Sequence, residues 1–307
     1  MYRFALSFYH SGMNNVTSGG ELTAGSRRAA LIPPHAYFLL SAIFHYLGPA
    51  FAVLLFAQVA PLGVAWLRIA SAAVIFALWR RPWRAFAGQT WGQRRELLAL
   101  GVTLAAMNGT FYLAIARLPL GTVGAIEFLG TIALAVVGVR TRRNALALTL
   151  AIAGVGLLAQ VRLIGEPLGF ALAFANCALF LLYIVLGHHL ARDGGAAGID
   201  RLGAAMLVAA VAIAPIGFAD VIPALTQPRL LLAGIGVGIC SSVIPYVCDQ
   251  LAMARLPRAT FALLLALLPA CAAIIGALVL RQIPTPNEVA GIALVIVGVA
   301  VHRARET

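Results

Sequence analysis

From residue 36 to residue 301 this chain is a succession of apolar runs, each ended by a short polar or proline-bearing stretch. That succession constrains the fold more than any motif does. A hydrocarbon layer about 30 Å thick is crossed by a helix of roughly 20 apolar residues, the length of these runs. Composition removes the soluble alternative. Only 10% of the residues are charged and 62% are hydrophobic, whereas a soluble domain carries about 25% charged residues. No water-facing surface can be built from such a chain, so an all-α membrane protein is expected. Its runs place ten transmembrane helices at roughly 36–57, 62–79, 97–116, 121–139 and 145–161, then 168–189, 202–220, 230–254, 259–280 and 287–301.

The runs also repeat. Leu113–Pro119 reads Leu-Ala-Ile-Ala-Arg-Leu-Pro, and Leu251–Pro257 reads Leu-Ala-Met-Ala-Arg-Leu-Pro, a match at six of seven positions with an offset of 138 residues. Each copy reads as a helix end, a turn set by proline and a new helix start. The chain therefore divides into a polar arm (1–35), a first five-helix repeat (36–161), a second (162–303) and a short tail (304–307). Five spans is an odd number, so the second copy enters the membrane upside down relative to the first. Inverted repeats of this kind are the build of secondary transporters.

Arginine placement sets the orientation. All 22 basic residues are arginine. With the N-terminus inside, seventeen of them, Arg80, Arg81, Arg142 and Arg143 included, fall on cytoplasmic segments. Only Arg117, Arg162, Arg229 and Arg281 fall on the other side, and Arg68 lies within a span. The positive-inside rule then puts both termini in the cytoplasm. The net charge of +12 is read as this topology signal, and not as a nucleic-acid surface. In residues 1–35 the apolar segment Phe4–Phe8 is shorter than a signal peptide needs, and a cytoplasmic arm is expected there. The four cysteines lie inside spans without metal-type spacing, which fits small packing residues.

Polar side chains at membrane depth are costly unless paired or wetted, so each is a candidate for function. Glu127 sits two turns into the fourth span, with Thr131 one turn on along the same face. Two readings stand: a carboxyl that exchanges protons or binds a substrate amine, or a structural partner for Arg68 of the second span. Asn108 and Tyr112 share a face of the third span. Ser242, Tyr246 and Asp249 (or Gln250) follow helical spacing in the eighth, where Pro245 is expected to open the backbone. By the repeat offset these two spans are the same element in the two halves, so their polar stripes are expected to converge on one cavity. The plainer reading is hydrogen bonding between helices with no ligand. The first and sixth spans carry weaker versions: Ser41 with His45 and Tyr46, and Asn176 with Tyr183. A single helix histidine such as His45 is more often a packing residue than a titrating one.

Met107-Asn108, Phe111-Tyr112-Leu113, Leu118-Pro119-Leu120-Gly121 and Glu127-Phe128 carry a likeness to a known family, continued by Ile244-Pro245-Tyr246, Arg255-Leu256-Pro257 and Thr260-Phe261. With Arg68-Ile69-Ala70, the chain from about residue 37 to 302 resembles the drug/metabolite transporter superfamily, in its EamA branch, and within it the bacterial threonine/homoserine exporters. Two departures stand out. Thr131 replaces the proline that usually follows the Glu-Phe-x-Gly pattern, and Gln282 stands where a glutamate is usual. The resemblance implies a multi-pass inner-membrane exporter of small amino acids or related metabolites in a bacterium, coupled to protons, acting without a cofactor as a monomer or homodimer. Its runner-up exports another small metabolite, such as a purine or an organic cation. No P-loop is present, and no pair of aspartates or His-Glu-His set marks a membrane-embedded enzyme. The expected partners are a small-molecule substrate, protons and the lipid bilayer, with no nucleic acid.

Overall fold

The computed structural model describes residues 33–83, 89–138, 141–162, 166–190, 196–245, 248 and 268–301. Among these residues the regular structure is helical, with no strand. The helices are α1 (Pro34–Leu55), α2 (Pro61–Arg80), α3 (Trp91–Ile115), α4 (Leu120–Gly138) and α5 (Arg142–Arg162). They continue with α6 (Pro167–Leu190), α7 (Ala196–Thr226), α8 (Pro228–Gly238), α9 (Leu268–Leu280) and α10 (Pro286–Val301). A π-helical turn, Ile239–Val243, extends α8.

Local chemistry explains the starts. Proline opens α1, α2, α6, α8 and α10, where its missing N–H costs nothing and its fixed φ favours the helix. α3 opens on a reciprocal cap. Thr90 N–H donates to Gln93 Oε1 at 3.0 Å, and Gln93 N–H donates to Thr90 Oγ1 at 3.4 Å. That cap carries the helix through Arg94 and Arg95 and starts it six residues before the expected 97. α7 runs beyond the expected 202–220, through Pro215 and Pro223. Prolines are tolerated inside membrane helices where neighbouring groups and local adjustments re-satisfy the backbone they free.

Helix pairing follows from small residues. α5 and α10 lie backbone to backbone: a Cβ on Gly291 would sit 2.8 Å from the Gly154 carbonyl, and one on Gly298 would sit 2.7 Å from that of Ala147. Only side chains without a Cβ allow such approach. α2 packs on α7 and α4 on α9; α3 packs on α6 and α7, while α8 packs on α1 and α2. At this last junction a Cβ on Gly48 would collide with Ser241, and one on Gly238 with Ser71. These two glycines bring the π turn against α1 and α2.

The outward surface is apolar, with Leu78, Val211 and Leu278 exposed by 82%, 74% and 77%. Among the described residues four helices are long and apolar enough to cross a membrane, namely His35–Leu55, Pro61–Trp79, Trp91–Ile115 and Asp200–Thr226.

Candidate functional site

The polar centre starts from a proline. In a regular α-helix the Ser241 carbonyl would accept from the N–H of residue 245, but residue 245 is Pro245 and has none. The chain answers with the π turn, where the Ile244 N–H reaches back to the Ile239 carbonyl. π turns of this kind recur at functional sites. The Ser241 carbonyl, which Pro245 deprives of its α-helical donor, accepts from Arg68 Nη2 at 3.2 Å, and Ser242 Oγ accepts from Arg68 Nε at 3.1 Å. Ser41 Oγ of α1 donates to the Pro245 carbonyl at 3.3 Å. Arg68 is thus held by α8 although it belongs to α2. Its guanidinium carbon lies 5.6 Å from the centre of the Tyr112 ring on α3, a cation–π distance.

Glu127 is buried on α4 and lies within electrostatic reach of Arg68. Arg68 nevertheless spends its hydrogen bonds on the π turn rather than on that carboxylate. Around the two charges are polar atoms with no hydrogen-bond partner among the described residues: Tyr46 Oη, Tyr112 Oη, Ser241 Oγ and both polar atoms of the Asn176 amide. These side chains are 0%, 0%, 2% and 1% exposed. Tyr112 Oη lies beside Ser241 and Arg68, and Asn176 beside Glu127, each short of a complete hydrogen bond. An unsatisfied buried polar group costs about 1–3 kcal/mol, so a group of them calls for a polar occupant. What the arrangement offers is a fixed cation, a carboxyl that can gain or lose a proton, and neutral donors and acceptors between them.

The sequence candidates sort accordingly. Arg68, Tyr112, Glu127 and Ser242 come together. Asn108 is buried on the same helix as Tyr112, but its amide donates to its own helix at Leu104 O, 2.8 Å away. His45 stacks edge-on against Tyr46 with ring centres 5.2 Å apart. Thr131 continues α4 one turn past Glu127, and its side chain lies outside the description. Tyr246, Asp249 and Gln250 lie outside the described residues, as does the second heptad, 251–257. Ser241 is the residue that sequence reasoning passed over. Its signal was present in Pro245, four residues on. Tyr46 and Asn176, weaker candidates by sequence, are central. Cys177 is buried in the apolar core, and its Sγ donates to the Glu127 carbonyl at 3.9 Å.

Residues 167–303 match the EamA-like transporter family. The chain is 33% identical over 256 residues to the threonine/homoserine exporter RhtA of Escherichia coli strain K12, covering 81% of this chain and 84% of that one. It is 32% identical over the same length to RhtA of Salmonella typhimurium strain LT2, with the same coverage. One solved crystal structure, 19% identical, superimposes with a TM-score of 0.54 over 87% of this chain and 96% of its own, a likeness that speaks for the fold alone. Together with the apolar helices these relations mark a bacterial multi-pass membrane exporter. The chain belongs to the EamA family of the drug/metabolite transporter superfamily.

Proposed function

We propose that this protein exports small zwitterionic amino acids of the threonine/homoserine kind in exchange for protons, with the polar centre as its substrate site. The observation that carries the reading is the group of buried atoms without a partner among the described residues, Tyr46 Oη, Tyr112 Oη, Ser241 Oγ and the Asn176 amide, set around Arg68 and Glu127. A zwitterion needs a cation for its carboxylate and a carboxylate for its amine, and a guanidinium suits the first task. In this scheme Arg68 holds the solute carboxylate and Glu127 alternates between the solute amine and a proton. The substrate names borne by the RhtA relatives agree with that chemistry.

The proposed topology is ten spans in two inverted repeats, 36–161 and 162–303, with both termini cytoplasmic. Support comes from the pairings: renumbering each helix by five turns α3 on α6 into α8 on α1, and α3 on α7 into α8 on α2, and both members of each couple occur. A reporter fused after Thr307 should report cytoplasm, and one placed in the 162–167 loop should report the outside. A cytoplasmic signal from the latter contradicts the topology. The function is tested with purified protein in liposomes: an imposed pH gradient should drive counterflow of labelled L-threonine. Transport of a purine or an organic cation, with L-threonine ignored, would replace the substrate assignment.

A further inference from the structure

A cavity of about 450 Å³ lies between the α3–α4 turn and the α9–α10 turn, with Arg117, Arg281, Gln282, Thr122 and Glu288 among its lining. We propose that it is a release subsite, in which Arg117 and Arg281 hold the carboxylate of the exported solute before it leaves. This rests on the export reading above and adds a second station on the path.

The cleft is built, and not two loose loops. Arg281 adopts a left-handed conformation (φ 55°) that turns the chain back after α9. The Gln282 N–H then donates to the Gly276 carbonyl at 3.1 Å. Its side-chain Oε1 accepts from the Leu120 N–H at 3.0 Å, capping α4 from 162 residues away. That bond ties the two arginine-bearing turns together. Arg117 is folded back along the end of α3, donating from Nη1 to the Leu113 carbonyl at 3.0 Å. Glu288 is buried and engaged in the cap of α10, accepting from the Thr285 N–H at 2.8 Å. Two guanidinium groups against one engaged carboxylate give the cleft an excess of positive charge. Planar donor forks of this kind match carboxylates in charge and shape.

The cleft also lies next to the polar centre. Ile115 and Thr122 line it; Tyr112 is one turn from the first and Glu127 is five residues from the second, about 5 and 8 Å along the helices. Between cavity and centre runs the contact of α4 with α9, made of small residues. A Cβ on Gly121 would lie 3.0 Å from Ala273 Cα, and one on Gly124 would lie 3.0 Å from Ala272 Cβ and 3.2 Å from Tyr46 Oη. A solute leaving the centre where this contact parts enters the arginine-lined cleft. The arginine asymmetry of the sequence places the cleft outside.

The test uses the full chain in intact cells with an added thiol, Ile283→Cys, the parent chain giving the background. Membrane-impermeant methanethiosulfonates should label it from outside, the anionic reagent about tenfold faster than the cationic one after correction for intrinsic rates. External L-threonine should slow labelling at least threefold, while L-threonine amide, which lacks the carboxylate, should not. Arg117→Gln with Arg281→Gln should abolish both effects, and the two lysine replacements should restore the charge preference. If the double variant is not recovered from the membrane, Arg281→Gln alone should lose most of the protection. Equal protection by the amide, no protection by L-threonine, or labelling only after permeabilisation overturns the subsite. L-threonine protection without L-threonine transport in liposomes leaves the subsite standing and removes the export reading; transport without protection does the reverse.

Discussion

Two helix junctions share glycine-mediated close approach and differ in what that approach brings together. Along α5 and α10 the contact is backbone on backbone, with Gly154, Gly291 and Gly298 admitting no side chain between the helices. Where α8 meets α1 and α2, Gly48 and Gly238 also admit close approach, but what they bring together is polar: a π turn, a freed carbonyl, two serines and a buried arginine. A close-packed backbone contact has one good arrangement, and any displacement loses dispersion without compensation. Hydrogen bonds to a guanidinium can be handed to another acceptor at little net cost. In the proposed scheme the first junction is the fixed frame, and the second is the place where a solute and a change of partners are accommodated.

The strongest way to break that contrast is to put bulk in the frame. Gly291→Leu should abolish monodisperse protein or lower its melting temperature by about 5–10 °C, as overpacking by a few kcal/mol would do; thermal unfolding in detergent reads this. A tolerated leucine would mean that the α5–α10 contact is not close packed. At the polar junction the expected loss is in transport and not in folding. Arg68→Lys keeps the charge but cannot span both Ser242 Oγ and the Ser241 carbonyl, so export should fall at least about tenfold with melting little changed. Ser242→Ala removes one acceptor and should slow export about tenfold or less, since the Nε donor is left short of about 1–2 kcal/mol. Asn108→Ala marks the lower bound. Its amide is spent on Leu104 O, so export within about twofold of the parent is expected. A large loss there would move Asn108 into the site.

The helices were legible because lipid leaves so few options: an apolar run of the right length has to be a helix. Their ends were less so. α3 began early because the Thr90–Gln93 cap outweighs the charged first turn, and α7 ran long because its prolines do not stop a helix in this setting. In the site, Arg68, Tyr112, Glu127 and Ser242 were visible as polar residues in apolar runs. Which of them touch was not, because contacts between spans depend on crossing geometry that spacing within one span does not encode. Ser241 enters through its hydroxyl and through its carbonyl, a group every residue has. Only Pro245 distinguishes it. Asn108 shows the converse: a polar residue on the right helix whose hydrogen bond is local.

The central claim is that Glu127 exchanges protons and is not there to neutralise Arg68. Arg68 already has its acceptors on the π turn, so Glu127→Gln should leave the protein folded and inserted. The direct measurement is L-threonine flux in liposomes holding the Glu127→Gln protein. The account predicts no flux driven by a pH gradient, with exchange at equal pH surviving only at raised L-threonine concentration, since a neutral amide accepts from the solute amine without pairing its charge. Full pH-driven flux from the well-folded variant would contradict it, and so would poor expression rescued by a neutral replacement of Arg68.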